Sequence, residues 1–244
     1  MNEILLIGSL FLIYGAVLLS YRLFGKSGLY AMTVLSTVFA NIEVLIIIDG
    51  FGLEQTLGNV MFASTFLITD ILSENEGKKS ASRAVWLGVF ASIIMLAFTQ
   101  YMMLYTPAKS DCASEHIRAL FTSTPRVLLA SFLGYVISQR FDVWLYHRLW
   151  KFTTDKTGDK NRFLWLRNNG STLVSQIINT AIFTFITFYG VYDKRTLFSI
   201  MLSSYVIFIF TSLTDTFAVY LARRIKQKEK DGVVFKLQST ADEK

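Results

Sequence analysis

Seven stretches of this chain are apolar over about the twenty residues that a helix needs to cross a bilayer, and several of them carry an acid or a carboxamide. They run over 4–21, 28–48, 55–73, 84–105, 127–146, 169–189 and 196–221. Lipid offers backbone groups no hydrogen-bond partner, so such stretches must close their bonds internally, as helices do. The pattern predicts an all-α, polytopic integral membrane protein of about seven transmembrane helices. The third stretch is the weakest, because Gly58 and Asn59 interrupt its outer part. A short helix with a non-helical lead-in is expected there. A hydrophobic share of 52% fits this class rather than a soluble domain.

Basic residues test the topology. The segments 22–27, 74–83, 147–167 and 222–244 hold 2, 3, 6 and 7 lysines and arginines, against 0, 3 and 2 in 49–54, 106–126 and 190–195. The positive-inside rule then places the N-terminus outside and the C-terminus in the cytoplasm. The net charge of +6 is explained by that asymmetry and by anionic lipid, without nucleic acid. The cluster Arg223-Arg224-Ile225-Lys226-Gln227-Lys228-Glu229-Lys230 reads as a lipid-facing tail. The first stretch lacks a basic start and a small-residue cleavage pattern, so it reads as a retained anchor.

Several chemistries are excluded by what the motifs lack. Gly25-Lys26-Ser27 and Gly77-Lys78-Lys79-Ser80 lack the first glycine of a phosphate loop, since position 20 is serine and position 72 is leucine. His116, His147 and Cys112 are too few, and the histidines too far apart across the membrane, for a histidine/cysteine metal site. The single cysteine allows no internal disulfide. A serine protease would need a base beside its serine, and a retinal protein a lysine in the last stretch, where 196–221 holds none. No enzyme, metal or cofactor is expected.

The informative residues are the polar ones inside the stretches. A carboxylate at the centre of a spanning helix costs roughly 2.5–3.5 kcal/mol on insertion scales, so it faces protein or water and marks a functional site. Asn41 and Glu43, Asp70, Gln139 and Asp142, Gln176 and Asn179, and Asp215 are the candidate substrate-binding residues. Gln139 and Asp142 share a helical face, as do Asn169, Gln176 and Asn179, and Thr211 and Asp215. Arg140 is expected to pair with Asp142, Glu74 to be solvated, and Trp144, Trp150 and Trp165 to anchor at the inner boundary. Carboxamide stripes also join helices, so for Gln176 and Asn179 a structural role stands beside a ligand role. Carboxylates, carboxamides and rings together suit a flat heterocycle rich in donors.

The runs Ala40-Asn41-Ile42-Glu43-Val44-Leu45, Thr56-Leu57-Gly58-Asn59-Val60 and Phe66-Leu67-Ile68-Thr69-Asp70-Ile71-Leu72-Ser73-Glu74 resemble the vitamin uptake transporter family, and most closely its queuosine precursor transporter branch. Ser138-Gln139-Arg140-Phe141-Asp142-Val143-Trp144, Leu166-Arg167-Asn168-Asn169-Gly170-Ser171-Thr172, Val174-Ser175-Gln176 and Asp215-Thr216-Phe217 extend the match over nearly the whole chain. The resemblance implies one transmembrane domain over 1–244. Within it, 1–27 would be an added N-terminal span and 28–222 a six-helix core like the substrate-binding component of energy-coupling-factor transporters. Residues 223–244 would form a basic cytoplasmic tail. It also implies inner-membrane import of 7-cyano- or 7-aminomethyl-7-deazaguanine for tRNA queuosine. Where it implies lysines, this chain has Ile46 and Phe208, which admits queuine as a substrate. Two other readings stay open: a vitamin-binding component served by a separate ATPase module, and a non-transporting membrane scaffold.

Overall fold

The computed structural model describes residues 1–122, 125–160 and 162–242, with the side chains of 53–54, 120, 122, 125, 128 and 229–242 left undescribed. The elements are α1 (Asn2–Glu43), β1 (Ile47–Gly50), β2 (Leu53–Thr56), α2 (Gly58–Glu76), α3 (Lys78–Met102), α4 (Ser114–Thr122), α5 (Pro125–Thr157), α6 (Leu164–Phe188) and α7 (Lys194–Asp242). Among the described residues, α1, α3, α6 and Lys194–Lys228 of α7 are long and apolar enough to cross a membrane. The protein is an all-α membrane protein with one small hairpin.

Helix α1 is not one rod. Gly25 has φ 58° and ψ −142° inside it, a conformation that costs glycine little and other residues much. The chain folds back there. A Cβ at Gly28 would overlap the Ser20 carbonyl, and Asn2 Nδ2 donates to the Asp49 carbonyl at 2.7 Å. The two arms, 2–24 and 26–43, thus correspond to the first two apolar stretches.

The second arm stops at Glu43, short of the expected 48. Residues 47–56 instead pair as an antiparallel hairpin with Gly50 opposite Leu53. Phe51 (φ 56°) and Gly52 (φ 74°) form its turn. Two positive φ angles in a two-residue loop make the type I′ geometry that matches strand twist. The lead-in expected before α2 is therefore a hairpin, and Leu57 closes it by donating its N–H to the Ile46 carbonyl at 2.9 Å. Gly58 does not interrupt α2 but opens it. A Cβ there would lie 2.8 Å from Val44 N and 2.9 Å from the Ala40 carbonyl, so only glycine lets α2 touch the α1 backbone.

Helix α2 is the axis of the molecule. Residues 63–73 are buried without a break, and α1, α3, α5 and α7 all pack on it. Its neighbours approach through small residues, with Ala81 and Ala84 on α3 and Ala218 and Ala222 on α7. This is how helices gain close packing where lipid supplies no hydrophobic drive between them. Large apolar side chains point outward instead, among them Phe11, Leu12, Phe90, Phe98, Phe210 and Phe217. The charged tail continues α7, and its side chains from 229 onward, Lys230 included, lie outside the described residues.

Candidate substrate cavity and the buried acids

A cavity of about 200 Å³ opens where the end of α1, the hairpin and the start of α2 meet α5, α6 and α7. Four carboxamides line it: Asn41, Gln55, Asn59 and Asn179. Each is held by one or two contacts. Asn41 Nδ2 donates to the Thr37 carbonyl at 2.9 Å and to Ser92 Oγ at 3.3 Å. Gln55 Nε2 donates to the Gly50 carbonyl at 3.4 Å. Asn59 Oδ1 accepts from Thr56 at 3.1 Å, and Asn179 Nδ2 donates to Gln176 Oε1 at 3.4 Å. Gly134 makes room for Asn179, because a Cβ there would lie 2.7 Å from its Oδ1.

Buried polar atoms without partners are uncommon and costly. This wall keeps several: Gln55 Oε1, Asn59 Nδ2, Ser131 Oγ and Thr180 Oγ1 have no hydrogen-bond partner. They offer one fixed acceptor, one fixed donor and two hydroxyls that can turn either way. Rings complete the wall. Phe62 sits between Tyr135 and Phe208, with centroids 6.1 and 6.3 Å away. Phe208 thus gives the wall a ring where the resemblance implies a lysine, while Ile46 is exposed.

Below the cavity lies a second polar layer. Asp70 on α2, Asp142 on α5 and Asp215 on α7 are all 0% exposed. Asp70 Oδ2 accepts from Thr172 at 3.2 Å, Asp142 Oδ1 from Ser175 at 2.8 Å, and Asp215 Oδ1 from the Tyr14 hydroxyl. The other oxygen of each acid has no partner. Gln139 is fully used in joining helices, donating to Thr65 at 2.7 Å and accepting from Thr69 at 3.1 Å.

A third layer is ionic. Arg167 on α6, 0% exposed, forms an ion pair at 2.7 Å with Glu74, whose side chain is 3% exposed. Tyr146 donates to Glu74 Oε2 at 2.7 Å, and Trp150 lies 4.5 Å under the guanidinium. Arg223 approaches Glu74 at 3.9 Å and Lys226 reaches Glu76 at 3.0 Å.

This layer corrects three expectations. Glu74 is not solvated, because α5, α6 and α7 close over it. Trp150 stacks on a buried cation, whereas Trp144 and Trp165 are half exposed, as boundary anchors would be. Arg140 does not pair with Asp142: it points outward over the Trp86 ring, 5.2 Å from its centroid, while Asp142 points inward to Ser175. Adjacent helical positions two apart diverge in direction, and burial sorted the charges accordingly.

Of the eight candidate residues, Asn41 and Asn179 line the cavity. Gln176 touches Asn179 from one turn below. Asp70, Asp142, Asp215 and Gln139 lie outside the wall in the packed layer, and Glu43 ends α1, half-buried and also outside the wall. Gln55 and Asn59 were not singled out as site residues. Their signal was the pair of polar residues breaking an apolar stretch at four-residue spacing.

Comparison with known proteins places the chain. Residues 56–222 match the family described as "Putative vitamin uptake transporter". A Bacillus subtilis (strain 168) protein named "Probable queuosine precursor transporter" is 40% identical over 211 residues, 86% of this chain and 89% of its own length. The Escherichia coli (strain K12) "Queuosine precursor transporter" is 25% identical over 150 residues, 62% of each chain. A Haemophilus influenzae relative named "Probable queuosine precursor transporter" is 24% identical over 141 residues, 58% of this chain and 55% of its own. No solved structure matches. The chain belongs to the vitamin uptake transporter family, beside relatives that carry the queuosine precursor transporter name.

Proposed function

We propose that this protein imports queuosine precursors across the inner membrane and binds the base in the cavity. The observation that carries this reading is the set of unpaired polar atoms on a ring-lined wall. A 7-deazaguanine presents a lactam edge, with N–H and exocyclic amine donors beside a carbonyl acceptor. Gln55 Oε1 receives a donor and Asn59 Nδ2 meets the carbonyl. Asn41 and Asn179 hold further edges, and Phe62 and Tyr135 take a face of the ring. The substrates are 7-cyano- and 7-aminomethyl-7-deazaguanine, with queuine admitted by the apolar Phe208 wall. The names of the relatives support the substrate class.

The chain would cross the membrane seven times, the two arms of α1 counting separately, with its N-terminus outside. Moving Arg167 from loop to interior lowers the basic count of the inner side by one and leaves the asymmetry intact. The cavity then lies toward the outer face, where an importer collects substrate.

The test is rescue. A strain unable to make queuosine is given 7-cyano-7-deazaguanine at low concentration, and its tRNA is scored for the modification. The native gene restores it and an Asn59→Ala gene does so only at higher concentration. Failure of the native gene would remove the reading. Rescue that needs a co-expressed ATPase module would favour the vitamin-component reading, and absence of binding by purified protein the scaffold.

A further inference from the structure

Asp70, Asp142 and Asp215 are fully buried, and no ion pair reaches any of them among the described residues. The fully buried cation nearby, Arg167, is already held by Glu74, one turn along α2 from Asp70. The groups facing Asp70 are Tyr14 from α1, Asp142 and Tyr146 from α5, and Asp215 from α7. From α6, Thr172 donates to Asp70 and Ser175 to Asp142. Three negative charges without a counter-charge are prohibitive inside a membrane.

The contacts say how the charge is relieved. Asp70 and Asp142 take their hydrogen bonds from Thr172 and Ser175, which stand one turn apart on a single face of α6, so the two carboxyls lie side by side. A proton on one of them turns an acceptor-only group into a donor. Two like charges so placed cannot both ionise. A separate observation points the same way. Gln176 is 1% exposed and leaves its Nε2 unpartnered. It stands one helical turn beyond Thr172, the donor to Asp70, and its Oε1 accepts from Asn179 in the cavity wall. A polar column therefore joins the cavity to the acids. A proton is the occupant that removes charge and gives an acceptor-only carboxylate a donor, and the sodium arm of the test below separates it from a metal cation.

We propose that the Asp70–Asp142 pair, flanked by Asp215 and Tyr14, is a proton-binding centre that couples uptake of the base to downhill proton entry. The pair at rest keeps one proton; a second, from outside, adds to the remaining carboxylate and changes the charge of the pair from one negative to none. Release toward the Glu74 layer restores it, and only an O–H bond is made and broken. The base crosses unchanged. This inference rests on the import reading, with the acids acting beside the cavity rather than in its wall.

The test uses the full-length protein in liposomes with labelled 7-cyano-7-deazaguanine. Exchange of labelled for unlabelled base without any gradient reports on import alone. An imposed gradient of one pH unit, acid outside and with the electrical potential clamped, should then concentrate the base up to about tenfold. An equal sodium gradient should not. Asp142→Asn should keep exchange within about twofold and lose the gradient-driven accumulation. Absence of exchange in the native protein would defeat the import reading and this one together. Exchange without a response to pH would defeat only the coupling, as would accumulation that follows sodium. An Asp142→Asn protein that still concentrates base, or one that loses exchange too, would overturn the assignment of this pair.

Discussion

The Arg167–Glu74 pair offers a quantitative test of how this fold is held. Arg167 donates to Glu74 through Nε at 3.0 Å and Nη2 at 2.7 Å, and through Nη1 to the Arg162 carbonyl at 2.8 Å. Both side chains are almost completely out of solvent. Removing one member of a buried pair typically costs about 3–5 kcal/mol, because the other charge stays behind uncompensated. Glu74→Gln keeps an acceptor for the guanidinium, and Trp150 still covers its face, so about 3 kcal/mol is expected. Arg167→Ala leaves the Glu74 carboxylate with Tyr146 and the more distant Arg223 at 3.9 Å, so the upper end, about 5 kcal/mol, is expected.

Thermal unfolding in detergent reads both. For a chain of this size about 1 kcal/mol shifts the midpoint by roughly 2–4 °C, so the single variants should melt roughly 6–20 °C lower. The double variant Glu74→Leu with Arg167→Met replaces the pair by apolar side chains of similar size. It should recover most of the loss, since buried pairs and their apolar replacements are often close to balanced. A cycle on the four proteins isolates the coupling. Single variants within about 0.5 kcal/mol of the native protein would refute the reasoning. So would a double variant as unstable as the sum of its parts, because the cost would then lie in lost packing and not in a stranded charge.

Other consequences are simpler to state. Gly58→Ala puts a methyl against the Ala40 carbonyl and Val44 N, neither of which can swing away. It should destabilise by about 1–3 kcal/mol, read as a lowered melting midpoint. Exposed Cys112 should react with a membrane-impermeant thiol reagent in intact cells, and labelling only after permeabilisation would reverse the proposed orientation. Asn59→Ala should weaken base affinity about 5- to 150-fold, the equivalent of about 1–3 kcal/mol, with little change in melting; Gln139→Ala, whose amide joins α5 to α2, should do the opposite. Asp193 accepts from Thr196 and from the Arg195 N–H at the start of α7. Those bonds hold its carboxyl below the usual range, the Thr196 hydroxyl foremost. Its support of α7 is therefore complete at neutral pH and fades as pH falls through that lowered value. Protection factors for amide exchange at 195–198, corrected for the intrinsic pH dependence, should fall on acidification in the native protein and be low at both pH values in Asp193→Ala.

What the sequence disclosed follows from how far apart in the chain each cause lies. The apolar stretches 84–105, 127–146, 169–189 and 196–221 are local patterns, and α3, α5, α6 and α7 take up all of them but the last residues of the first and third. The buried acids were legible too, because a carboxylate amid twenty apolar residues has few places to go, and all three stand at 0% exposure. Hydropathy misjudged the middle of the fold because it measures preference for lipid. Helix α2 meets protein on every side, so it could replace apolar residues by Ser64, Thr65, Thr69 and Asp70 and still be the most buried helix. The end of the second arm was missed for a different reason. Ile46, Ile47 and Ile48 extend the apolar run smoothly, and what stops the helix is the turn at Phe51 and Gly52 a few residues on. Glu74 and Arg167 lie 93 positions apart, and no periodicity within either helix announces a partner in another. The same distance hid the cavity. Gly58 and Asn59 read as an interruption of a span, and Gln55 gave no separate signal. The hairpin that breaks the apolar pattern, with the start of α2 behind it, is what brings Gln55 and Asn59 into the cavity wall.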